Sequence, residues 1–141
     1  MKKVAIVTDS TCCLPHELVN KYDICVVPII IVHEGKSYRD GVDISPGEVY
    51  RIMRRNEELP TTSTPSSGDF LDTFRRLSEE AQAILCITLT ARQSNTYSAA
   101  TVAKEMARES IPDTAIEVLD SRAVGGALGF ITLAADRKSV V

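Results

Sequence analysis

Short apolar runs alternate along the chain with segments whose apolar residues recur every three to four positions. The runs at 3–7, 25–32, 84–89 and 116–119 are typical of buried strands. Pro28 interrupts the second run, which indicates an edge strand or an irregularity there. Strands that alternate with helices predict the α/β class, with a mostly parallel sheet, right-handed crossovers and helices on both faces.

Two predicted helices begin with strong capping signals. Ser45 is followed by Pro46 and Glu48, and Ser66 is followed by Asp69 three residues later. The first helix should end within residues 56–60, and its predicted buried residues are Val49, Ile52 and Met53. The second helix should run to about Ala81, and its predicted buried residues are Phe70, Leu71, Phe74 and Leu77.

Further helices are predicted at 15–22 and at 123–136, and the latter is apolar on nearly every side. Another helix follows residue 96. Its predicted apolar face consists of Ala99, Val102, Ala103 and Met106.

The segment between the second strand and Ser45 predicts a turn at 34–36 and an extended excursion at 37–44 that could form a hairpin. Asp40, Asp43 and Glu48 could hold a hard cation. A solvated turn is favoured, because the loop lacks the alternating oxygen ligands of a calcium site.

Composition fits one ordinary globular domain. The chain has 141 residues, of which 44% are hydrophobic and 25% charged, and it contains no apolar run long enough to cross a bilayer. The apolar run at 4–7 is far too short for a signal peptide, so the cytoplasm is the expected location. A net charge of −3 without a basic stripe argues against nucleic-acid binding.

The cysteines and one aspartate leave enzymatic alternatives open. Cys12, Cys13, Cys25 and Cys86 form no CxxC pair and lack ligand-like spacing to a histidine, which indicates reduced thiols rather than a metal site. Asp9 or Cys12 could act as the nucleophile of an α/β hydrolase or phosphotransferase. Structural roles are favoured, because no catalytic partner for either residue is evident.

Polar loops follow three of the predicted strands, at 8–11, 90–96 and 120–121. Ligands of open α/β sheets bind outside the carboxyl ends of the strands, so these loops should converge with the hydroxyl-rich segment 60–67, which predicts irregular structure. Hydroxyls and N–H groups at helix starts favour an anion such as a carboxylate or phosphate. Helix capping alone is the alternative explanation of the same residues.

Six segments occur in the order and approximate spacing of the DegV proteins. They are VTDST at 7–11, VP at 27–28, YRDG at 38–41, TSTPS at 62–66, SNTY at 94–97 and DS at 120–121. The chain therefore resembles the DegV family over nearly its whole length. The resemblance implies a bacterial fatty-acid-binding protein without enzymatic activity or cofactor, of the kind that serves as the carrier subunit of fatty acid kinase.

The resemblance also implies the site residues. The carboxylate-binding threonine of the family falls on Thr62, and the serine of its SGTY motif falls on Ser94. Ser10, Ser63 and Asn95 are expected to support them. Asn95 replaces the usual glycine, which is tolerable because asparagine enters the left-handed region more readily than most residues.

The chain departs from the family pattern in two further respects. Ala91 and Gln93 stand where serine and leucine are usual, so the pocket wall should be more polar. Members of the family also have a second domain beyond the region that ends here at Val141, so residues 1–141 resemble an amino-terminal α/β domain whose carboxy-terminal partner is absent. The face left by that domain should expose apolar surface and promote self-association, with the last helix a candidate for exchange between chains.

Overall fold

The computed structural model of the protein describes residues 1–55 and 58–139. Strands and helices alternate along most of this length. In chain order the elements are β1 (Lys2–Asp9), a 3₁₀ turn (Ser10–Cys12), α1 (His16–Lys21), β2 (Cys25–Val27), β3 (Ile30–His33), β4 (Lys36–Arg39), α2 (Pro46–Arg55), β5 (Thr61–Ser63), α3 (Ser67–Ser78), β6 (Ala81–Thr88), α4 (Thr96–Ser110), β7 (Ala115–Asp120) and α5 (Gly126–Ser139).

The main sheet is parallel, with the strand order β2, β1, β6, β7. Val7 of β1 lies between Cys25 of β2 and Cys86 of β6. Successive strand residues point to opposite faces, so Cys86 packs into the core that contains α3 and α4, whereas Ile87 packs against Leu128 of α5. The predicted α/β class, with helices on both faces of a parallel sheet, is confirmed.

The prediction of a single strand at 25–32 is wrong. The structure divides it into β2, which ends at Val27 in the parallel sheet, and β3, which begins at Ile30 in a second, antiparallel sheet of order β4, β3, β5. Pro28 lies between the two strands and has no N–H to donate to a sheet ladder. The irregularity predicted at Pro28 is therefore the point at which the chain changes sheets.

The second sheet has its hairpin at the turn predicted at 34–36, between β3 and β4, whereas the hairpin predicted within 37–44 is wrong, because only the part of that segment up to Arg39 is a strand. Glu34 and Gly35 join β3 to β4 with φ of 49° and 72°, the left-handed conformations of a tight hairpin turn. The prediction that 60–67 is irregular is wrong for Thr61–Ser63, which forms β5 against β3. Threonine favours extended structure, but the partner strand is distant in the sequence and leaves no trace in the local pattern.

Both predicted capping boxes are present. Glu48 accepts hydrogen bonds of 2.7 and 2.8 Å from the N–H and hydroxyl of Ser45, and Asp69 accepts bonds of 2.8 and 2.7 Å from the N–H and hydroxyl of Ser66. The four apolar residues predicted to be buried in α3 are buried. The helix ends at Ser78 rather than near Ala81, because Ala81 is already the first residue of β6.

The face that α4 buries differs from the prediction. Its buried residues are Thr96, Ala100, Ala103 and Ala107. Val102 and Met106 were expected in the core, but each is 48% exposed. Small side chains let α4 pack closely against α3 and the sheet, so the alanine stripe, rather than the larger side chains, faces inward.

The burial predicted for α2 is also wrong. No residue of Pro46–Arg55 is fully buried, and Met53 is 46% exposed, while Val49 and Ile52 are half-buried. None of its residues belongs to the main core, and Ile52 lines a pocket together with Tyr38 of β4, so the helix has little apolar surface to pack against. The predicted helix end within 56–60 begins with two residues that lie outside the described part of the chain.

The last helix, α5, begins at Gly126 rather than at the predicted 123. Leu128 and Thr132 are buried on its inner side, whereas Phe130 on the outer side is 76% exposed. A Cβ atom added to Gly129 would lie 2.7 Å from the carbonyl oxygen of Cys12, so glycine is what permits this close approach to the 3₁₀ turn. Within the described ranges, no helix is long and apolar enough to cross a membrane.

Candidate functional site

An open cleft of about 620 Å³ lies beyond the carboxyl ends of β1 and β6, where the antiparallel sheet meets the parallel one. The lining comes from the loop after β1, from residues 62–64, from residues 89–95, and from Ile29 in the link between the two sheets. The lining residues are Thr11, Ile29, Thr62, Ser63, Thr64, Leu89, Ala91, Arg92, Gln93, Ser94 and Asn95. The two main predicted residues, Thr62 and Ser94, therefore line the same cleft.

Thr62 reaches the cleft because β5 pairs with β3. Its Cα partner in the antiparallel ladder is Ile31, and the next residue, Ser63, pairs with Ile30. The side chains of Thr62 and Ser63 are exposed and form no hydrogen bond within residues 1–55 and 58–139. Their hydroxyls are thus available to donate to a ligand.

Ser94 lies two residues before Thr96, the first residue of α4. Its hydroxyl oxygen accepts a 3.2 Å hydrogen bond from the N–H of Thr96 and lies 2.8 Å from the Thr96 hydroxyl. Asn95 lines the cleft but makes no side-chain cap to the helix. The prediction that Asn95 adopts a left-handed conformation is wrong, because its φ is −80° and its ψ is 8°.

Asp9 is fully buried and holds the two main-sheet loops of the cleft together. Its carboxylate accepts hydrogen bonds from the N–H of Thr11 at 3.0 Å, from the Thr11 hydroxyl at 2.6 Å and from the N–H of Leu89 at 2.7 Å. These donors use both carboxylate oxygens, and the group has no exposed surface. Asp9 is a structural anchor and is not accessible to a substrate.

Cys12 is not suited to nucleophilic chemistry either. It is 3% exposed and packs with Ile87, Leu89 and Leu128, and burial raises the pKa of its thiol above the ordinary value. A thiol must be deprotonated and accessible to attack a substrate. The geometry therefore gives no support to the hydrolase or phosphotransferase alternatives based on Asp9 or Cys12.

Ser10 and the 120–121 loop support the cleft from outside it. The hydroxyl of Ser10 accepts a 3.0 Å hydrogen bond from the N–H of Ile29. This bond holds the link between β2 and β3 against the end of β1. Asp120 accepts bonds from the N–H groups of Ala91 and Arg122, at 3.2 and 2.9 Å. The loops at 8–11 and 90–96 converge as predicted, whereas the loop at 120–121 stabilises one of them.

Two of the three acidic residues considered for a cation, Asp43 and Glu48, already have partners. Arg39 forms a two-point ion pair with Asp43 and lowers the pKa of that carboxyl to about 2, and hydrogen bonds from Ser45 lower the pKa of Glu48. In the part of the chain that the structure describes, no group of three or more His, Cys, Asp or Glu side chains is placed to hold a metal ion.

Sequence and structural comparisons agree on the family. A family model described as "Uncharacterised protein, DegV family" matches residues 3–138. The chain belongs to the DegV family. A DegV domain-containing protein of Caldanaerobacter subterraneus is 39% identical to it over 140 residues, which is 99% of this chain and 48% of that protein.

Solved structures of DegV proteins superpose closely on this chain. A stearic-acid-binding protein of Eubacterium ventriosum gives a TM-score of 0.89 at 34% identity, and a fatty-acid-binding DegV protein of Thermus thermophilus gives 0.84 at 32%. Each alignment covers 97% of this chain and 47% of the other. The DegV chain thus spans about half the length of the relatives it matches.

Several cleft residues of this DegV chain escaped sequence reasoning. Thr11, Thr64 and Arg92 were not singled out as ligand contacts, although each lies in a polar loop that was expected at the site. Composition identifies such a loop as polar, but the folded path of the loop determines which of its side chains face the cleft. Ala91 and Gln93 both line the cleft, and the expectation that its wall is more polar than in other members of the family stays a prediction.

Proposed function

We propose that this DegV protein binds a long-chain fatty acid, with the acid's carboxylate held in the cleft by Thr62 and Ser94. Ser63 and Asn95 lie beside them as further donors. The observation that carries the proposal is that Thr62, in β5, and Ser94, in the loop between β6 and α4, are distant in sequence and line one open cleft.

The donors suit a carboxylate. Hydroxyl groups donate hydrogen bonds to an anion, and hydrogen bonds to charged groups are stronger than neutral ones. Ser94 also lies at the start of the 15-residue helix α4, where the partial positive charge of the helix N-terminus favours a negative group. The hydroxyls can therefore orient the acid head without neutralising it.

The acyl tail would supply most of the affinity. Each buried methylene contributes about 0.8 kcal/mol, so a long chain contributes roughly 10 kcal/mol before the entropy of binding is subtracted. Ile29, Leu89 and Ala91 give the cleft an apolar side on which the tail could begin. The tail determines affinity, and the polar groups determine orientation.

Relatives support the choice of ligand. The Eubacterium ventriosum protein is described as binding stearic acid, and the Thermus thermophilus DegV protein as binding a fatty acid. Both exceed 30% identity to this chain, and their aligned regions cover nearly all of it. Because those proteins are about twice as long, binding of a fatty acid by residues 1–141 alone is part of the proposal.

We further propose that the protein is a carrier that presents the carboxylate to a fatty acid kinase, rather than a catalyst. The openness of the cleft supports presentation, because a bound carboxylate would remain within reach of a second protein. The inaccessible Asp9 and the buried Cys12 support the absence of catalysis. The resemblance to the carrier subunits motivates the choice of kinase.

The proposal is tested first on the protein as purified from bacteria. Organic extraction and mass spectrometry should recover long-chain fatty acid in about a 1:1 ratio to protein. Metal- or phosphate-dependent turnover without lipid would favour an enzyme instead. Recovery of neither lipid nor activity would indicate a structural fragment that lacks the proposed function.

Site-directed variants then test the position of the carboxylate. Thr62→Val and Ser94→Ala should each weaken binding of oleic acid by about tenfold and binding of oleyl alcohol much less, because the hydroxyls serve the charged head. Thr61→Val is the matched control, since Thr61 lies in the same strand but does not line the cleft. Equal losses for the acid and the alcohol would contradict the assignment.

A further inference from the structure

Arg92 is the charged residue among the described residues that line the cleft. Its backbone N–H donates to the hydroxyl of Thr90 at 3.3 Å, which helps to fix the loop. Its guanidinium forms no hydrogen bond or ion pair with any residue in the ranges 1–55 and 58–139. By contrast, Arg39, Arg75 and Arg108 each pair with a nearby carboxylate.

A positive charge would strengthen the cleft's hold on an anion. The buried Asp9 lies directly behind its wall, because the two residues that donate to Asp9, Thr11 and Leu89, also line the cleft. A negative charge that is poorly screened by water disfavours a second anion nearby. The hydroxyl of Thr11 donates its proton to Asp9, so that proton is not available to an anion in the cleft.

The neutral donors do not fully replace a cation. The hydroxyls of Ser94 and Thr96 lie 2.8 Å apart and share one hydrogen bond, so one of the two protons is already engaged. The hydroxyls of Thr62 and Ser63 carry no net charge. A guanidinium supplies both a full positive charge and several N–H donors in a planar fork that matches a carboxylate.

We infer that Arg92 adds a full positive charge to the hydrogen bonds of Thr62 and Ser94, and that this charge strengthens the cleft's selection of an ionised headgroup over a neutral one of the same length. The inference rests on the proposed function and specifies how the same site discriminates between ligands. Arg92 pairs with the carboxylate at the cleft wall and offsets the field of Asp9. The hydroxyls of Thr62 and Ser94 then set the orientation of the head.

The test compares Arg92→Gln with Arg54→Gln. Arg54 is an exposed arginine of α2 that does not line the cleft, so its variant makes the same change in net charge elsewhere on the surface. Binding of oleic acid and of oleyl alcohol, below their micellar concentrations, is measured at about 20 mM and about 300 mM salt, which screen charges over very different distances. Circular dichroism checks that both variants are folded.

At low salt, Arg92→Gln should weaken oleic acid binding by about five- to tenfold, because glutamine retains hydrogen bonding but removes the charge. It should leave oleyl alcohol binding unchanged. The wild-type protein should lose affinity for oleic acid as salt rises, and the variant should lose less. Arg54→Gln should behave as the wild type in all four measurements.

The inference is overturned if Arg92→Gln binds oleic acid as tightly as the wild type, or if Arg54→Gln causes the same loss. It is also overturned if acid and alcohol weaken equally, because that result indicates a general change in the cleft. Failure of the wild type to bind oleic acid is a separate outcome: it contradicts the proposed function, and the role of Arg92 falls with it.

Discussion

The carboxylate of Asp9 accepts a 2.7 Å hydrogen bond from the backbone N–H of Leu89, which lies 80 residues further along the chain. Asp9 ends β1, and Leu89 directly follows β6, the strand that pairs with β1. Two adjacent parallel strands are thus joined at their carboxyl ends by a buried side chain. The same carboxylate caps the 3₁₀ turn through Thr11.

Replacing Asp9 should destabilise the protein. Asp9→Ala leaves the buried N–H of Leu89 without an acceptor and removes the cap of the 3₁₀ turn, so the free energy of unfolding should fall by about 3 kcal/mol in urea denaturation. Asp113→Ala, at an exposed turn position, is the control and should change the stability little. An Asp9→Ala protein as stable as the wild type would mean that the hydrogen bonds of Asp9 contribute little.

Gly129 should be intolerant of a side chain. A Cβ atom there would lie 2.7 Å from the backbone oxygen of Cys12 and 3.0 Å from Leu14 Cδ2, so Gly129→Ala must push α5 away from the 3₁₀ turn. The overpacking should lower the free energy of unfolding by about 2 kcal/mol, despite the better helix propensity of alanine. Chemical denaturation measures the change.

Gly126→Ala is the matched control for Gly129→Ala. Gly126 lies in the same helix, and an added Cβ would meet no heavy atom within 4 Å. Alanine should leave stability unchanged or raise it by about 0.5 kcal/mol. If both variants lose the same stability, the close contact with Cys12 is not the cause.

The cysteines should differ strongly in their reaction with iodoacetamide. Cys13 is exposed, whereas Cys12 and Cys86 are buried, and burial raises the pKa of both buried thiols. In the native protein, Cys13 should be alkylated at least about tenfold faster than either buried cysteine, because reaction requires an accessible thiolate. Peptide mass spectrometry over time follows each site.

Unfolding provides the control for this labelling experiment. In concentrated urea all four cysteines should react at similar rates, since the differences arise from burial rather than from local sequence. Native labelling of Cys12 as rapid as that of Cys13 would contradict its placement in the core and restore it as a candidate nucleophile.

The outer face of α5 should promote self-association, as expected from the resemblance. Phe130 is 76% exposed on a helix whose inner side is already packed against the sheet, and helices that are apolar on all sides are normally buried. Light scattering at micromolar concentration should therefore show a mass above that of one chain. Phe130→Glu should shift the protein towards the monomer.

A matched variant tests whether α5 itself mediates the contact. Met53→Glu introduces the same charge at an exposed apolar position of α2 and should leave the association unchanged. A monomeric wild-type profile over the whole concentration range would refute the prediction. Equal dissociation by both variants would point to a general effect of charge.

Local sequence was sufficient for much of the architecture. The capping boxes at Ser45 and Ser66 mark helix starts because they act over three residues, and the apolar spacing of α3 identifies its buried face without knowledge of its neighbours. The alternation of strands and helices indicated the α/β class and the edge at which polar loops meet. The motifs that resemble the DegV family pointed to Thr62 and Ser94.

Tertiary structure decided what depends on distant partners. Thr61–Ser63 becomes a strand because the edge of β3 is available to it, and α4 buries alanines rather than Val102 and Met106 because close packing against α3 favours small side chains. The sequence likewise does not show that the guanidinium of Arg92 is unpaired among the described residues or that the carboxylate of Asp9 is buried, because both properties depend on the fold. Periodicity indicates which face of a segment is apolar. Strand pairing, the burial of each side chain and its neighbouring charges depend on segments that are distant in sequence and that folding brings together.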